Sequence, residues 1–128
     1  MKRGIFMITL TVLLLTLAIW EAVAVSGVID NLSNSIDSII DDYKNNKNDI
    51  TVLLDNVSEI KSYWDDRECT LCLMFNHKDL SDVTDSLNKL KTYTYLNDYD
   101  DALTELYLLQ NFAYKADHIM GFNIHNIF

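Results

Sequence analysis

The sequence predicts an all-α protein, in which an N-terminal transmembrane helix is followed by a small antiparallel bundle of three or four helices. Two observations support this fold class. The chain of 128 residues contains no proline and only three glycines, so it lacks the residues that punctuate proteins built from strands and turns. Its apolar residues recur at intervals of three or four, which is the helical period. We divide the chain into an anchor, residues 1–25, and a helical-bundle domain, residues 26–128.

The anchor is predicted from the run between Gly4 and Val25, which is apolar except for its threonines and Glu21. A helix over residues 5–20 rises roughly 24 Å, and a bilayer core of roughly 30 Å also needs the apolar residues that follow. Lys2 and Arg3 precede the run, and the bias of basic residues toward the cytoplasm predicts a cytoplasmic N-terminus. We therefore expect a single-pass protein of the cell membrane, with an uncleaved signal anchor and an extracytoplasmic C-terminal domain.

A cleaved signal peptide is the alternative to this anchor. Ala22-Val23-Ala24 matches an A-x-A cleavage site, and the protein would then be secreted after cleavage near Ala24. Two features favour the anchor. The apolar core is at the upper length limit for a signal peptide, and Trp20 and Glu21 crowd the region before the cleavage site.

The first helix of the bundle is predicted as a continuation of the anchor. Its apolar stripe runs through Val28, Leu32 and Ile36, with at most a bend near Ser26 and Gly27. The anchor is then the lower half of a continuous rod, which also argues against cleavage after Ala24.

Three further apolar stripes predict three further helices, each preceded by an aspartate that suits an N-cap: Asp49, Asp79 and Asp98. The second helix is expected from about residue 49 to 75. Because it would be roughly 40 Å long, we allow a break near residues 65–66.

The last two helices are predicted to be antiparallel neighbours, because the connection around Asn97-Asp98 is short. The small residues Ala102, Ala113 and Ala116 favour close approach of these helices. The tail, residues 121–128, carries regularly spaced apolar residues and is expected to pack onto the bundle.

The net charge of −9 bears on the classes of partner. An acidic surface is repelled by phosphate backbones and by anionic lipid, which excludes nucleic-acid binding and disfavours binding flat on a membrane surface. A basic partner or divalent cations would be attracted. The alternative is a solvated acidic face that only keeps the domain soluble.

A family resemblance rests on the order and spacing of residues distributed along the whole bundle. These residues are Trp64, Asn76-His77, Asp79, Asp82, Leu87 to Tyr93, Asn97-Asp98-Tyr99, Ala102, Glu105-Leu106 and Asn126-Ile127. The pattern resembles a family of short, single-span proteins from spore-forming Gram-positive bacteria, known only as a domain of unknown function. The resemblance implies an N-terminal anchor, a helical extracytoplasmic domain and no assigned activity. As candidate structural or interaction positions we single out Trp64, His77, Tyr93, Tyr99, Ala102 and Glu105.

The pair Cys69 and Cys72 forms a C-x-x-C motif that is not part of this family pattern. A thioredoxin-like site needs such a motif at a helix N-terminus beside a sheet, whereas this pair lies deep in a predicted helix. We expect both cysteines to be buried in the helix and to act as small apolar residues. The alternative is a small thiol-redox, metal- or ligand-sensing module that uses Cys69, Cys72 and a histidine. A ligand bound between helices near Trp64 and Tyr93 is a further alternative.

Metal, cofactor and catalytic motifs are not expected. The histidines that might join the cysteines at zinc, His77, His118 and His125, do not stand at ligand spacing. A calcium loop starting at Asp98 would need glycine and glutamate where the sequence has Leu103 and Leu109.

The function expected from the sequence is therefore interaction rather than catalysis. The sequence has no G-x-S-x-G, no glycine-rich phosphate loop and no H-E-x-x-H, so we expect no enzyme and no cofactor. We predict a protein-interaction or accessory subunit at the outer face of the cytoplasmic membrane. Its partner would be a protein of the membrane or envelope.

Overall fold

A computed structural model describes residues 1–45 and 49–127, with side chains up to residue 119. Over these residues the chain forms four helices and no strand: α1 (Lys2–Asn45), α2 (Ile50–Leu71), α3 (His77–Tyr95) and α4 (Tyr99–Ile127). Helix α1 packs against α2 and α4, and α3 packs against the same two helices. The helices therefore stand at the corners of a square, and each runs opposite to its neighbours. This confirms the predicted all-α fold, with four helices in the bundle.

Helix α1 is one uninterrupted helix of 44 residues, as the continuous apolar stripe predicts. Residues 1–20 are exposed, and the first fully buried residue is Val25. From there the buried positions recur every three or four residues up to Tyr43. The N-terminal half of α1 therefore projects beyond the bundle, while its C-terminal half is one of the four packed helices. The predicted boundary at residue 25 lies inside a helix.

Helix α2 differs from its prediction in two ways. It is unbroken at residues 65–66, because Asp65 and Asp66 face solvent and Trp64 continues the buried stripe beneath them. Lys61 and Asp65, one turn apart, form an ion pair at 2.5 Å on the same exposed side. The helix ends at Leu71 rather than at residue 75, because the chain then forms a tight turn in which the N–H groups of Met74 and Phe75 donate to the Leu71 carbonyl.

The N-caps of α2 and α4 confirm the predictions for Asp49 and Asp98. The Asp49 carboxylate accepts a hydrogen bond from the Val52 N–H at 3.4 Å, and the Asp98 carboxylate accepts one from the Asp101 N–H, also at 3.4 Å. Such bonds satisfy N–H groups that have no partner in the first turn of a helix.

The prediction that Asp79 caps α3 is wrong. Asn76 is the N-cap: its backbone is extended, and its side-chain oxygen accepts a hydrogen bond from the Lys78 N–H at 2.6 Å. Because the helix begins at His77, Asp79 falls inside its first turn. There its negative charge interacts favourably with the positive end of the helix dipole, but its side chain does not cap the helix.

The connection between α3 and α4 is a Schellman turn. Asn97 adopts the left-handed conformation, with φ 64°, and its N–H donates to the Thr94 carbonyl at 3.2 Å. The Asp98 N–H donates to the Tyr93 carbonyl at 2.9 Å, which completes the motif. The two helices are antiparallel neighbours, as predicted. The three alanines Ala102, Ala113 and Ala116 are all buried.

The core contains two levels of aromatic contacts. At one level the ring of Tyr43 meets the ring of Tyr99 edge to face at 5.7 Å, and the Tyr43 hydroxyl forms a buried hydrogen bond with Thr94. At the other level the ring of Phe112 contacts Trp64 at 6.1 Å and Phe75 at 6.0 Å. These contacts reach across the bundle and hold the four helices in register.

Candidate interaction site

Three of the candidate positions, Trp64, Ala102 and Tyr99, belong to the bundle's packing. Trp64 is fully buried, and its indole N–H donates to the Thr84 hydroxyl at 2.9 Å. Ala102 is also fully buried, and Tyr99 is half-buried against Tyr43. Tyr99 and Ala102 lie within the first turn of α4, whereas Trp64 packs against Phe112 further along that helix, so the three residues do not form one site.

Of the remaining candidates, Tyr93 and Glu105 lie toward the α3–α4 connection, whereas His77 lies at the opposite end of α3. Tyr93 is half-buried against the core, and its carbonyl accepts one of the bonds of the Schellman turn. Glu105 is 8% exposed, and its Oε2 atom accepts no hydrogen bond from any residue in the described part of the chain. His77 is exposed as the first residue of α3. Of the six positions, it is the one whose side chain is exposed at the surface.

The two cysteines lie at the C-terminal end of α2. Cys69 is exposed, Cys72 is half-buried, and both are free thiols. The prediction that both cysteines are buried is therefore wrong, because Cys69 faces solvent in the last turn of α2 and Cys72 lies at its C-terminal end. The Cys72 thiol donates to the Glu68 carbonyl at 3.4 Å, and its sulfur lies 3.9 Å from Nδ1 of His77. The structure thus selects His77 as the histidine beside the motif. The motif stands at a helix C-terminus, the opposite end from a thioredoxin-like site.

The side chain of His118 is exposed on α4, and that of His125 lies outside the described residues. Among the side chains that the structure describes, no three histidine, cysteine or carboxylate groups are placed to hold a metal ion.

A groove of about 490 Å³ with a lining of mixed chemistry lies between α3 and α4, and we call it the α3–α4 groove. Its floor is apolar and aromatic. One rim, on α3, carries a line of exposed carboxylates and a lysine, and the other, on α4, carries apolar residues and a second lysine. The floor comprises Phe75, Val83, Leu109, Phe112 and Ala116, and the rims include Asp79, Asp82, Asp85 and Lys89 on α3 and Leu108, Lys115 and Ile119 on α4.

The carboxylates of this groove are largely free to meet a partner. Asp82 has a loose ion pair with Lys78, at 3.8 Å, and both side chains are mostly exposed. Such a surface pair is screened by water and contributes little to stability. Leu108 and Ile119, on the opposite rim, are 52% and 53% exposed. The groove therefore offers an apolar surface with an acidic edge.

A second groove, of about 370 Å³, lies between α1 and α2. Its lining combines amides and hydroxyls, including Ser35 and Ser38, with Glu59 and the apolar residues Leu32, Ile39 and Ile60. Two hydrogen bonds cross this helix pair: Asn31 donates to the Tyr63 hydroxyl, and Asn56 donates to the Asp42 carboxylate, each at 3.1 Å. These polar groups already serve to join α1 to α2, so we regard the α3–α4 groove as the better candidate for a partner.

Sequence reasoning missed the α3–α4 groove. Ala102, Ala113 and Ala116 were predicted to pack inward on α4, but Leu108, Phe112 and Ile119 form a second stripe beside them, also at intervals compatible with a helix. An apolar arc wider than one packed face is a signal of an additional contact surface. The line of aspartates on α3, spaced by three residues, was the second available signal.

Among the described residues, α1 is the one helix that is long and apolar enough to cross a membrane. The evidence that this helix spans a membrane is its length and its apolar composition. The buried C-terminal half of the same helix belongs to the bundle.

The family of the chain follows from comparison with known proteins. A family model described as a domain of unknown function, DUF4363, matches residues 19–127. No curated protein and no solved structure matches the chain. The matched region contains the buried half of α1 and all of α2, α3 and α4. The protein therefore belongs to the DUF4363 family of domains of unknown function.

Proposed function

We propose that this protein is a membrane-anchored binding module of the cell surface, which holds a partner protein along the α3–α4 groove. The observation that carries the proposal is the groove itself, where exposed apolar residues on α4 face a line of exposed carboxylates on α3. Full burial of one such leucine or isoleucine side chain stabilises a complex by about 1.5–3 kcal/mol, so the open groove favours a partner.

The partner that fits this groove is an amphipathic helix. Its apolar stripe would pack on Leu108, Phe112 and Ile119, as helices dock into hydrophobic grooves elsewhere. Lysines or arginines along one edge of that helix would face Asp79 and Asp82. The net charge of −9 would speed the encounter with a basic partner.

The anchor determines where this partner would be found. Lys2 and Arg3 precede the apolar half of α1, which favours a cytoplasmic N-terminus and an extracytoplasmic bundle. We propose that the partner is a protein of the same membrane or of the envelope, and that binding proceeds without catalysis or a cofactor. This assignment makes the protein an accessory subunit rather than an enzyme.

The test is binding of two synthetic helical peptides to the full chain in lipid nanodiscs. The peptides share one apolar stripe, and their polar face carries lysine in the first and glutamate in the second. We expect the lysine peptide to bind and the glutamate peptide not to bind. The triple variant Asp79→Asn, Asp82→Asn, Asp85→Asn should lose most of the binding.

A matched control separates the groove from the overall charge. The triple variant Asp30→Asn, Asp55→Asn, Asp66→Asn removes the same charge from exposed positions on α1 and α2. This control variant should still bind the lysine peptide. If both triple variants weaken binding equally, the attraction is a property of net charge and the proposed groove site is wrong.

A thiol-based sensor is the second candidate function, and the contact between Cys72 and His77 favours it. A nearby imidazole can exchange a proton with a thiol, and the exposed Cys69 is accessible to oxidants. Counting free thiols on protein recovered from cells before and after an oxidant tests this candidate. A disulfide that forms reversibly would support the sensor. If cells that carry a Cys69→Ser, Cys72→Ser variant respond to the oxidant as wild-type cells do, the sensor is excluded.

A further inference from the structure

We infer that the connection between α2 and α3, residues 72–76, rests on the outer surface of the same bilayer that α1 crosses, with Leu73 and Met74 among the lipid headgroups. We call this connection the α2–α3 corner. The inference rests on the proposed membrane anchor and adds a second contact with the membrane.

The topology of the bundle places the α2–α3 corner at the anchor end. Helix α1 enters the bundle at Val25 and runs away from the exposed apolar half. Because α2 is antiparallel to α1, its C-terminal end returns toward that half, and α3 starts there. The two ends of α2 thus lie at opposite ends of the bundle.

The height of the corner follows from the register of α1 and α2. The hydrogen bond from Asn31 to the Tyr63 hydroxyl places these two residues at similar heights. From Tyr63 to the end of α2 at Leu71 the helix rises roughly 12 Å, and the same distance from Asn31 back along α1 reaches Val23. Trp20 lies one further turn along, roughly 5 Å away, and tryptophan favours the membrane interface. The corner therefore lies at the level expected for the headgroups.

Helix α4 supports the same placement of the membrane surface. Its Gln110 side chain donates to the Asp37 carboxylate at 2.7 Å, which sets the register of α4 against α1. From Gln110 the backbone of α4 continues as a helix to Ile127, a rise of roughly 25 Å. The same distance from Asp37 back along α1 reaches Trp20. The C-terminal ends of α2 and α4 thus both lie within about one helical turn of the level of Trp20.

The chemistry of the corner suits lipid headgroups. Leu73 is 74% exposed and Met74 is 38% exposed, although both are apolar. The segment from Cys69 to Lys78 contains no carboxylate, in a chain that has 19 acidic residues. Its charged residue is Lys78, which can face a lipid phosphate. The absence of carboxylates from this segment lowers the repulsion expected between the corner and anionic lipid.

The corner is also held in a fixed shape. The N–H groups of Met74 and Phe75 both donate to the Leu71 carbonyl, at 3.1 and 2.9 Å, and the ring of Phe75 packs inward against Phe112. With Phe75 turned inward, the side chains of Leu73 and Met74 are left on the outside. Because α1 tethers the bundle to the bilayer, a weak apolar contact suffices to orient it.

Lipid quenching of site-specific fluorescent labels on the full chain tests this inference. In a Cys69→Ser, Cys72→Ser background, a polarity-sensitive fluorophore is attached to Leu73→Cys, with the protein in phosphatidylcholine vesicles. We expect blue-shifted emission and quenching by brominated lipid. The matched control is Leu96→Cys, which replaces an equally apolar, 64% exposed residue at the far end of the bundle. Its label should show neither effect.

A third label, on Thr9→Cys within the anchor, separates the inference from the proposal on which it rests. Quenching at Thr9 without quenching at Leu73 would leave the anchor standing and overturn the inference. No quenching at Thr9 would overturn the anchor and the inference together. If the Leu73 label is unquenched in pure lipid but shielded from aqueous iodide in native membranes, a protein covers the corner and the inference is wrong.

Discussion

Trp64 illustrates how single side chains fix the centre of this bundle. It is fully buried, its ring meets Phe112 edge to face, and its N–H has a partner in the Thr84 hydroxyl. The family pattern singled out this residue without distinguishing packing from interaction. The structure assigns it to packing, because no part of the indole is left for a partner.

We expect Trp64→Ala to lower the free energy of unfolding by about 3–5 kcal/mol, because it removes a large buried ring and leaves a cavity. Denaturant unfolding followed by circular dichroism measures this change. The control is Tyr114→Ala, at a residue that is largely exposed, for which a change within about 0.5 kcal/mol is expected. A similar loss in both variants would contradict the central role of Trp64.

Tyr43 links stability to pH. Burial raises the pKa of its phenol above the ordinary value, against the opposing effect of its hydrogen bond with Thr94 and with a smaller contribution from Tyr99. When the pKa of a group is higher in the folded than in the unfolded protein, its contribution to the stability of the fold is fully present below the unfolded-state pKa, which is about 10 for tyrosine. That contribution is lost as the pH rises through the folded-state pKa.

We therefore expect the stability advantage of the wild type over Tyr43→Phe to shrink above pH of about 10. At neutral pH the variant should lose about 1 kcal/mol, the typical net value of one hydrogen bond. Thr94 still donates to the Leu90 carbonyl at 2.7 Å, so the variant leaves no unpaired hydroxyl proton. Unfolding curves of both proteins from pH 7 to pH 11 measure the difference, and a constant gap would contradict the prediction.

At the scale of elements, the helix ends follow local rules. Asn97 is the left-handed residue of the Schellman turn, and asparagine tolerates this conformation better than other residues with a side chain. We expect Asn97→Ala to destabilise the protein by about 1 kcal/mol and Asn97→Gly to leave its stability unchanged or slightly higher. Thermal unfolding of the two variants gives the comparison, and equal losses would count against backbone strain as the cause.

The continuity of α1 gives a second prediction at this scale. Gly27 lies within the helix, and a Cβ atom built there meets nothing within 4 Å. We expect Gly27→Ala to raise the free energy of unfolding by about 0.5–1 kcal/mol, because glycine loses more backbone entropy in a helix. A decrease in stability, measured by denaturant unfolding, would indicate that α1 bends at this point or that a partner packs closely against it.

At the scale of the whole molecule, the shared helix α1 couples the anchor to the bundle. Val25 is the first fully buried residue, directly after the A-x-A sequence, so cleavage there would cut α1 where it enters the core. We expect the intact chain to stay with the membrane fraction after alkaline washing. N-terminal sequencing of protein from cells provides the check, and a new terminus at Val25 would favour the secreted form.

Local sequence determined the helices of this protein, two of their three predicted caps and the unbroken passage from the apolar run into the bundle. The reason is that helical period, capping and helix continuity depend on residues within a few positions of each other. The predicted end of α2 was wrong because the turn at Leu71 ends the helix earlier. The predicted cap at Asp79 was wrong because Asn76, three residues before it, is the N-cap. Only the tertiary structure decided that Trp64 and Tyr99 pack inside while Leu108 and Ile119 stay exposed beside the aspartates of α3. That outcome depends on how each helix rotates against its neighbours, and the same registers set the height of the α2–α3 corner above the anchor.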